Sequence, residues 1–258
     1  MFFINIGEKL KRFIRKTLII IFSLIFIYCS YNIIKYIKSS KANEILIEDL
    51  KKEVVVDSYK NEKNTNNNEN KKINFDKLHE INNNIKAWIY LKDSIIDYPI
   101  VKGNDNNFYL NHSVDGKYNP NGAIFIDYRN NDNFEDIVTY IYGHHMKNNK
   151  MFANLEFFKK QEYYDSHKDM IICTKNNNYK LELFAGFTTK DGANIYNYIN
   201  SKSNQEIVKL SKSKSDFKAN VDINNEEKIV VLSTCSYDFE NARYVVLGVL
   251  RNLEKGDV

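Results

Sequence analysis

The chain has 258 residues, enough for one good-sized domain with accessory segments, and a formal charge of +4. That excess lies entirely in residues 1–16, where Glu8 stands against Lys9, Lys11, Arg12, Arg15 and Lys16; everything after residue 16 is neutral overall. A nucleic-acid binder needs a basic face on its folded domain, and this charge distribution excludes one.

An uncharged run, Thr17 to Ile34, follows the basic cluster. Its 18 residues reach the lower end of what spans a bilayer as a helix, with Tyr28 and Tyr31 near the far interface. A cleaved signal peptide needs small residues at its cleavage site, but the first alanine is Ala42. Phe26, Ile27 and Tyr28 precede Cys29, where a lipoprotein site would carry small residues. The expectation is an uncleaved anchor. The basic residues before the run outnumber Lys35, Lys38 and Lys41 after it, which puts the N-terminus in the cytoplasm. The rest of the chain is then extracellular, where disulfides are permitted.

Ile45, Leu46, Leu50 and Val54 are spaced for an amphipathic helix over residues 42–58. Residues 60–72 contain no apolar side chain and so cannot offset their ordering entropy by burial, which predicts a flexible tether. The expected organisation is a cytoplasmic segment (1–16), a transmembrane anchor (17–34), a stalk and tether (35–73) and one folded domain (74–258).

That domain reads mostly as short strands. Trp88–Leu91 and Ile95–Val101 flank the hairpin signal Lys92-Asp93-Ser94, and Ala123–Ile126 follows the turn signal Asn119-Pro120-Asn121-Gly122. Ile137–Tyr142, Met170–Thr174, Tyr179–Phe187, Lys228–Ser233 and Tyr244–Leu250 are rich in β-branched and aromatic residues. Helical pieces are predicted around 75–84, 105–111, 151–166 and 204–215. Many short strands without strand–helix alternation predict a mainly β fold, a barrel rather than a parallel α/β sheet.

Three elements carry chemistry. The apolar run Ile229–Leu232 leads into Ser233-Thr234-Cys235, which puts Cys235 where a strand meets solvent and a reactive thiol is accessible. Cys173 lies inside the apolar run Met170–Cys173 and reads as a buried strand residue. The strand Tyr140-Ile141-Tyr142 ends at Gly143 with His144 and His145 just beyond, and an imidazole is what a thiol needs to become nucleophilic and to protonate a leaving amine. A metal site is the competing use of adjacent histidines, but no Cys/His/Asp cluster completes a zinc set. Arg243 heads the strand Tyr244–Val249, eight residues after Cys235, so a short loop would bring both to one rim. A guanidinium there could stabilise an oxyanion or hold a substrate carbonyl.

The segments Tyr142-Gly143-His144, Leu232-Ser233-Thr234-Cys235 and Arg243-Tyr244-Val245-Val246 resemble the His, Cys and Arg motifs of sortases, most nearly those of class B. Trp88 followed by Ile96-Asp97-Tyr98-Pro99-Ile100-Val101 fits the same family, as does Asn106-Asn107-Phe108-Tyr109-Leu110; the resemblance covers roughly residues 75–252. It implies an eight-stranded β-barrel with peripheral helices, one of them over residues 204–215. It implies a cell-surface cysteine transpeptidase without a cofactor. Cys235 would cut a C-terminal sorting signal after threonine, and a peptidoglycan or lipid-linked amine would release the thioacyl-enzyme. His144 would protonate the leaving amine, and Arg243 would stabilise the oxyanion. Asn106, Leu110, Ser233 and Thr234 would contact the signal, and the Thr188–Ile199 loop would wall the groove; His145 is outside the implied catalytic set. The chain shows neither the second hydrophobic span nor the lid segment expected of pilus-polymerising sortases.

Two other classes compete. A stalked binding module would keep the barrel and only hold wall peptides, but it would not need Cys, His and Arg together. Papain-like and caspase-like proteases use cysteine in other local contexts, and L,D-transpeptidases place His and Cys within one short motif rather than 91 residues apart.

Overall fold

The computed structural model describes residues 2–56, 71–146, 148–190 and 202–253. Residues 57–70, most of the segment read as a tether, and 191–201, most of the loop read as a groove wall, lie outside the described residues. The chain divides into two compact units, Met1–Ile45 and Leu46–Val258.

The first unit is helical. Helix α1 (Phe2–Val54) contains an apolar stretch long enough to cross a membrane, and none of that stretch is buried. Phe22, Phe26 and Ile27 are exposed around the helix.

The second unit opens with the last turns of α1. Ile47, Leu50 and Val54 are buried, and their i, i+3, i+7 spacing puts them on one stripe that faces the core. These residues were read from sequence as part of the stalk; the structure puts them in the folded unit instead. Strand β1 (Val55–Val56) then pairs antiparallel with β2 (Lys72–Ile73). Asp97 receives Lys51 at 3.3 Å and Lys71 at 2.7 Å, and its other oxygen accepts the indole N–H of the fully buried Trp88 at 2.8 Å.

Eight further strands form a closed barrel among the described residues: β3 (Ile85–Tyr90), β4 (Asp97–Lys102), β5 (Ile124–Ile126), β6 (Val138–Tyr142), β7 (Asp169–Thr174), β8 (Asn178–Lys190), β9 (Lys228–Cys235) and β10 (Ala242–Asn252). The strand order is β10-β8-β7-β3-β4-β5-β6-β9, closing on β10, so no barrel strand is left with an open edge. Only β4–β5 and β6–β9 are parallel. Parallel neighbours need long crossovers, and these crossovers supply the loops around the site.

Helix α2 (Phe75–Ile81) is capped by Asn74, whose side chain accepts from the Lys77 N–H. The segment predicted as one helix over 151–166 is a 3-10 helix, Ala153–Lys159, followed by α3 (Gln161–Ser166), because the backbone is extended at Lys160. The helix expected over 105–111 is only a 3-10 turn, Phe108–Leu110. Helix α4 (Asn204–Lys214) starts in a Ser203–Glu206 capping box.

Side-chain alternation divides the core in two. Leu232, Tyr244, Val246 and Ile141 join residues from every other barrel strand in the interior cluster. Ile229, Val231, Val245, Leu247 and Tyr140 face outward, into a second cluster covered by Ile207 of α4.

Candidate active site

Strand β9 lies between β6 and β10, and Cys235 stands at its C-terminal end. Cys235 is the register partner of Arg243 on β10, so the two side chains share a face. Arg243 is in turn opposite Thr189 on β8. On the other side β6 runs parallel to β9, with Tyr142 matched to Ser233 and the Gly143 N–H donating to the Ser233 carbonyl at 3.1 Å. His144 stands two residues past Tyr142, as Cys235 stands two past Ser233. Thr189, Arg243 and Cys235 therefore make one row across the sheet, and His144 follows the end of the neighbouring strand β6. Cys235 shares the outward side-chain parity of Val231 and Ser233, which aims the thiol away from the barrel interior.

The cysteines occupy different environments. Cys235 is half-buried, whereas Cys173 is enclosed in β7 and its thiol is pushed up to about 12 by burial. All three cysteines are free. Burial of that kind makes a thiol inert, and partial exposure is what a nucleophile needs.

His144 is held by a loop distant in sequence. Its Nε2 lies 2.6 Å from the Leu110 carbonyl oxygen. A carbonyl can only accept, so Nε2 carries the hydrogen and Nδ1 is left to exchange protons. Gly122 keeps this approach open: it has φ +60°, and a Cβ there would fall 2.5 Å from the Tyr109 carbonyl oxygen and 3.0 Å from the imidazole. Behind His144, a Cβ on Gly143 would strike the Phe152 ring at 2.7 Å. Arg243 donates one N–H to the Ala242 carbonyl at 3.0 Å and has no carboxylate partner among the described residues.

The four residues expected to contact substrate occupy different settings. Leu110 is 41% exposed beside His144. Ser233 lies one outward position below Cys235, and Thr234 has the opposite parity, opposite the buried Tyr244. The Thr234 hydroxyl is enclosed without a hydrogen-bond partner among the described residues. The Asn106 amide is committed within the fold: it donates to Asp127 at 3.0 Å and accepts from the Tyr128 N–H at 3.0 Å.

Asp127, fully buried, is the hub of that second network. It also takes two bonds from the Arg129 guanidinium and one from the Tyr142 hydroxyl. Burial alone raises its pKa, yet these donors hold the carboxyl below the usual range. Neither Asp127 nor Glu156, which bonds to residues beside Cys235 and His144, was legible in sequence. The bonds from Asn106 to Asp127 and from Ser236 to Glu156 join residues 21 and 80 positions apart, and no local pattern marks them.

Comparison with known proteins shows the family of the chain. The sortase domain family matches residues 89–251. The chain is 30% identical to sortase B of Listeria monocytogenes over 94% of this chain and 98% of that protein. The crystal structure of Clostridium perfringens sortase B superposes with a TM-score of 0.63 at 34% identity, over 69% of this chain and 99% of that one. A Streptococcus pyogenes class B sortase involved in pilus biogenesis gives 0.63 at 38% identity, over 69% and 97% respectively.

Proposed function

Given that the chain belongs to the sortase family, in its class B, and is a cysteine transpeptidase with a role in anchoring proteins to the cell wall, we propose that Cys235, His144 and Arg243 carry the reaction. One observation supports this above the others: the ladder pairs Cys235 with Arg243, and His144 follows the end of β6, the strand paired in parallel with β9.

In this reading the Cys235 thiolate attacks the carbonyl carbon of the peptide bond after threonine in a C-terminal sorting signal. The oxyanion that forms is stabilised by the Arg243 guanidinium, whose N–H groups outside the Ala242 bond are available to it. His144 gives its proton to the leaving nitrogen, the C–N bond breaks, and a thioester to Cys235 remains. An amine then attacks the thioester carbonyl, His144 takes the amine's proton, and the thiolate leaves. Leu110, Ser233 and Thr234 line the approach, Thr234 through its main chain. Asn106 acts by holding its loop to Asp127 rather than by contacting the signal. The acceptor is a peptidoglycan amine or its lipid-linked precursor.

Residues 17–34 anchor the enzyme, with the basic segment 1–16 in the cytoplasm and the barrel outside. In this reading the catalytic domain opens at Leu46, so the segment 60–72 read as a tether falls within its span.

The test is mass spectrometry of a sorting peptide incubated with the enzyme. Wild type should yield a hydroxylamine-sensitive adduct on Cys235. Cys235→Ala should yield neither adduct nor cleavage, while Cys173→Ala should keep both. Full cleavage by Cys235→Ala would refute the assignment.

A further inference from the structure

The parallel pairing of β6 and β9 ends one step short of the reacting groups. Among the described residues, the Gly143 N–H to Ser233 carbonyl bond is the last backbone bond between the two strands. His144 and Cys235 both lie beyond it. Yet a catalytic pair has to be held to within about 0.5 Å of its productive geometry.

Glu156 bridges that gap. It projects from the 3-10 helix Ala153–Lys159, which lies in the connection between β6 and β7. Its Oε1 accepts the Ser236 hydroxyl at 2.5 Å, and its Oε2 accepts the His145 Nε2–H at 3.1 Å. Ser236 directly follows Cys235, and His145 directly follows His144. One carboxylate therefore holds the neighbours of both groups.

The carboxylate is itself held. Lys159 lies 3.1 Å from the same Oε1 and 2.8 Å from both oxygens of Asp238, in the loop after Cys235. Asp238 accepts the Thr188 hydroxyl of β8 at 2.6 Å. The base of that loop is closed by the Ser236 N–H to Ala242 carbonyl bond, and the His145 ring stands edge-on to Tyr237. A network of charge-assisted bonds of this kind has one arrangement that satisfies all its members.

We propose that Glu156 is a positioning residue for the transpeptidation, setting the spacing of Cys235 and His144 through Ser236 and His145. The proposal rests on Cys235 and His144 being the nucleophile and its proton partner. Glu156 itself touches neither group and takes no part in bond making. Its amide analogue loses the negative charge and one of the two acceptor oxygens, so Glu156→Gln weakens the linkage without removing the side chain.

The experiment uses the full chain in detergent and a fluorogenic sorting peptide that the wild type turns over. Rates are divided by the folded fraction, measured for each variant from its thermal melt by circular dichroism. Glu156→Gln should lower kcat tenfold or more with KM within twofold. Ser236→Ala, which deletes one tie without disturbing a charge, should lower kcat three- to tenfold and serves if the first variant fails to fold. The double variant should fall no further than the worse single one, because both act on one linkage. A kcat within twofold of wild type in both single variants would overturn the proposal. So would losses that multiply in the double variant, or that vanish once rates are corrected for folded enzyme. Turnover by Cys235→Ala would overturn the catalytic assignment and the positioning role together; an inactive Cys235→Ala beside an unimpaired Glu156→Gln would remove the positioning role alone.

Discussion

Replacing Leu50 by alanine tests whether the end of α1 belongs to the catalytic domain. Leu50 is 2% exposed and lies between Ile47 and Val54 on the stripe that enters the barrel's core. A leucine-to-alanine change at such a site costs about 2–5 kcal/mol, the lost transfer free energy plus the cavity left behind. The better helix propensity of alanine offsets only a few tenths of that. With a loss of about 3 kcal/mol and roughly 2–4 °C per kcal/mol for a domain of this size, Tm should fall by about 6–12 °C. Ile45→Ala is the control, since Ile45 is on the same helix but 51% exposed; it should shift Tm by no more than about 2 °C. Thermal melts followed by circular dichroism, on a soluble chain beginning at Lys41 and on the full chain in detergent, would measure both. Equal melting of the two variants would mean that residues 46–54 are a tether and that the domain starts near residue 74.

Arg243→Lys keeps the charge but loses the planar fork, so its kcat on a sorting peptide should fall about 10²–10³, nearly as far as that of Arg243→Ala; near-wild-type turnover by the lysine variant would reduce Arg243 to a diffuse positive charge. Gly143→Ala forces a methyl into the Phe152 ring, 2.7 Å from the new carbon. Overpacking of this sort costs about 1–3 kcal/mol and should displace His144, visible as a lower Tm with a tenfold or greater loss of kcat; unchanged kinetics would show that the loop absorbs the methyl. Asp127 has a lowered folded pKa, so its contribution to stability is complete above about pH 4 and is lost as pH falls through that lowered value. The Tm gap between wild type and Asp127→Asn should therefore narrow on acidification, and a constant gap from neutral pH down to about pH 3 would refute the ionised network.

The strands were legible because each is a short run of β-branched and aromatic residues bounded by turn signals, as at Ile229–Leu232 and Tyr244–Leu250. Cys235 was legible for a related reason: the apolar pattern stops just before it, whereas at Cys173 it does not. The single helix expected over 151–166 was misjudged. Its apolar spacing is continuous, but the chain turns extended at Lys160 to lay Ala153–Lys159 and Gln161–Ser166 separately on the barrel. Residues 46–54 read as stalk because the same amphipathic stripe serves a free helix or a docked one, and only the presence of a receiving surface decides between them.

By itself the sequence determined the long apolar N-terminal helix and the strand-rich barrel, and it singled out a thiol, an imidazole and a guanidinium as candidates. Each of those is written in local patterning or in the order of short motifs, since hydrophobic period and strand ends are properties of neighbouring residues. Only the tertiary structure decided what sets the geometry of those groups: the Leu110 carbonyl against His144, Asn106 turned toward Asp127, and Glu156 between Ser236 and His145. These contacts join residues that lie 34, 21, 80 and 11 positions apart. A hydrogen bond fixes no sequence period, so partners brought together by barrel closure leave no trace in the order of residues along the chain.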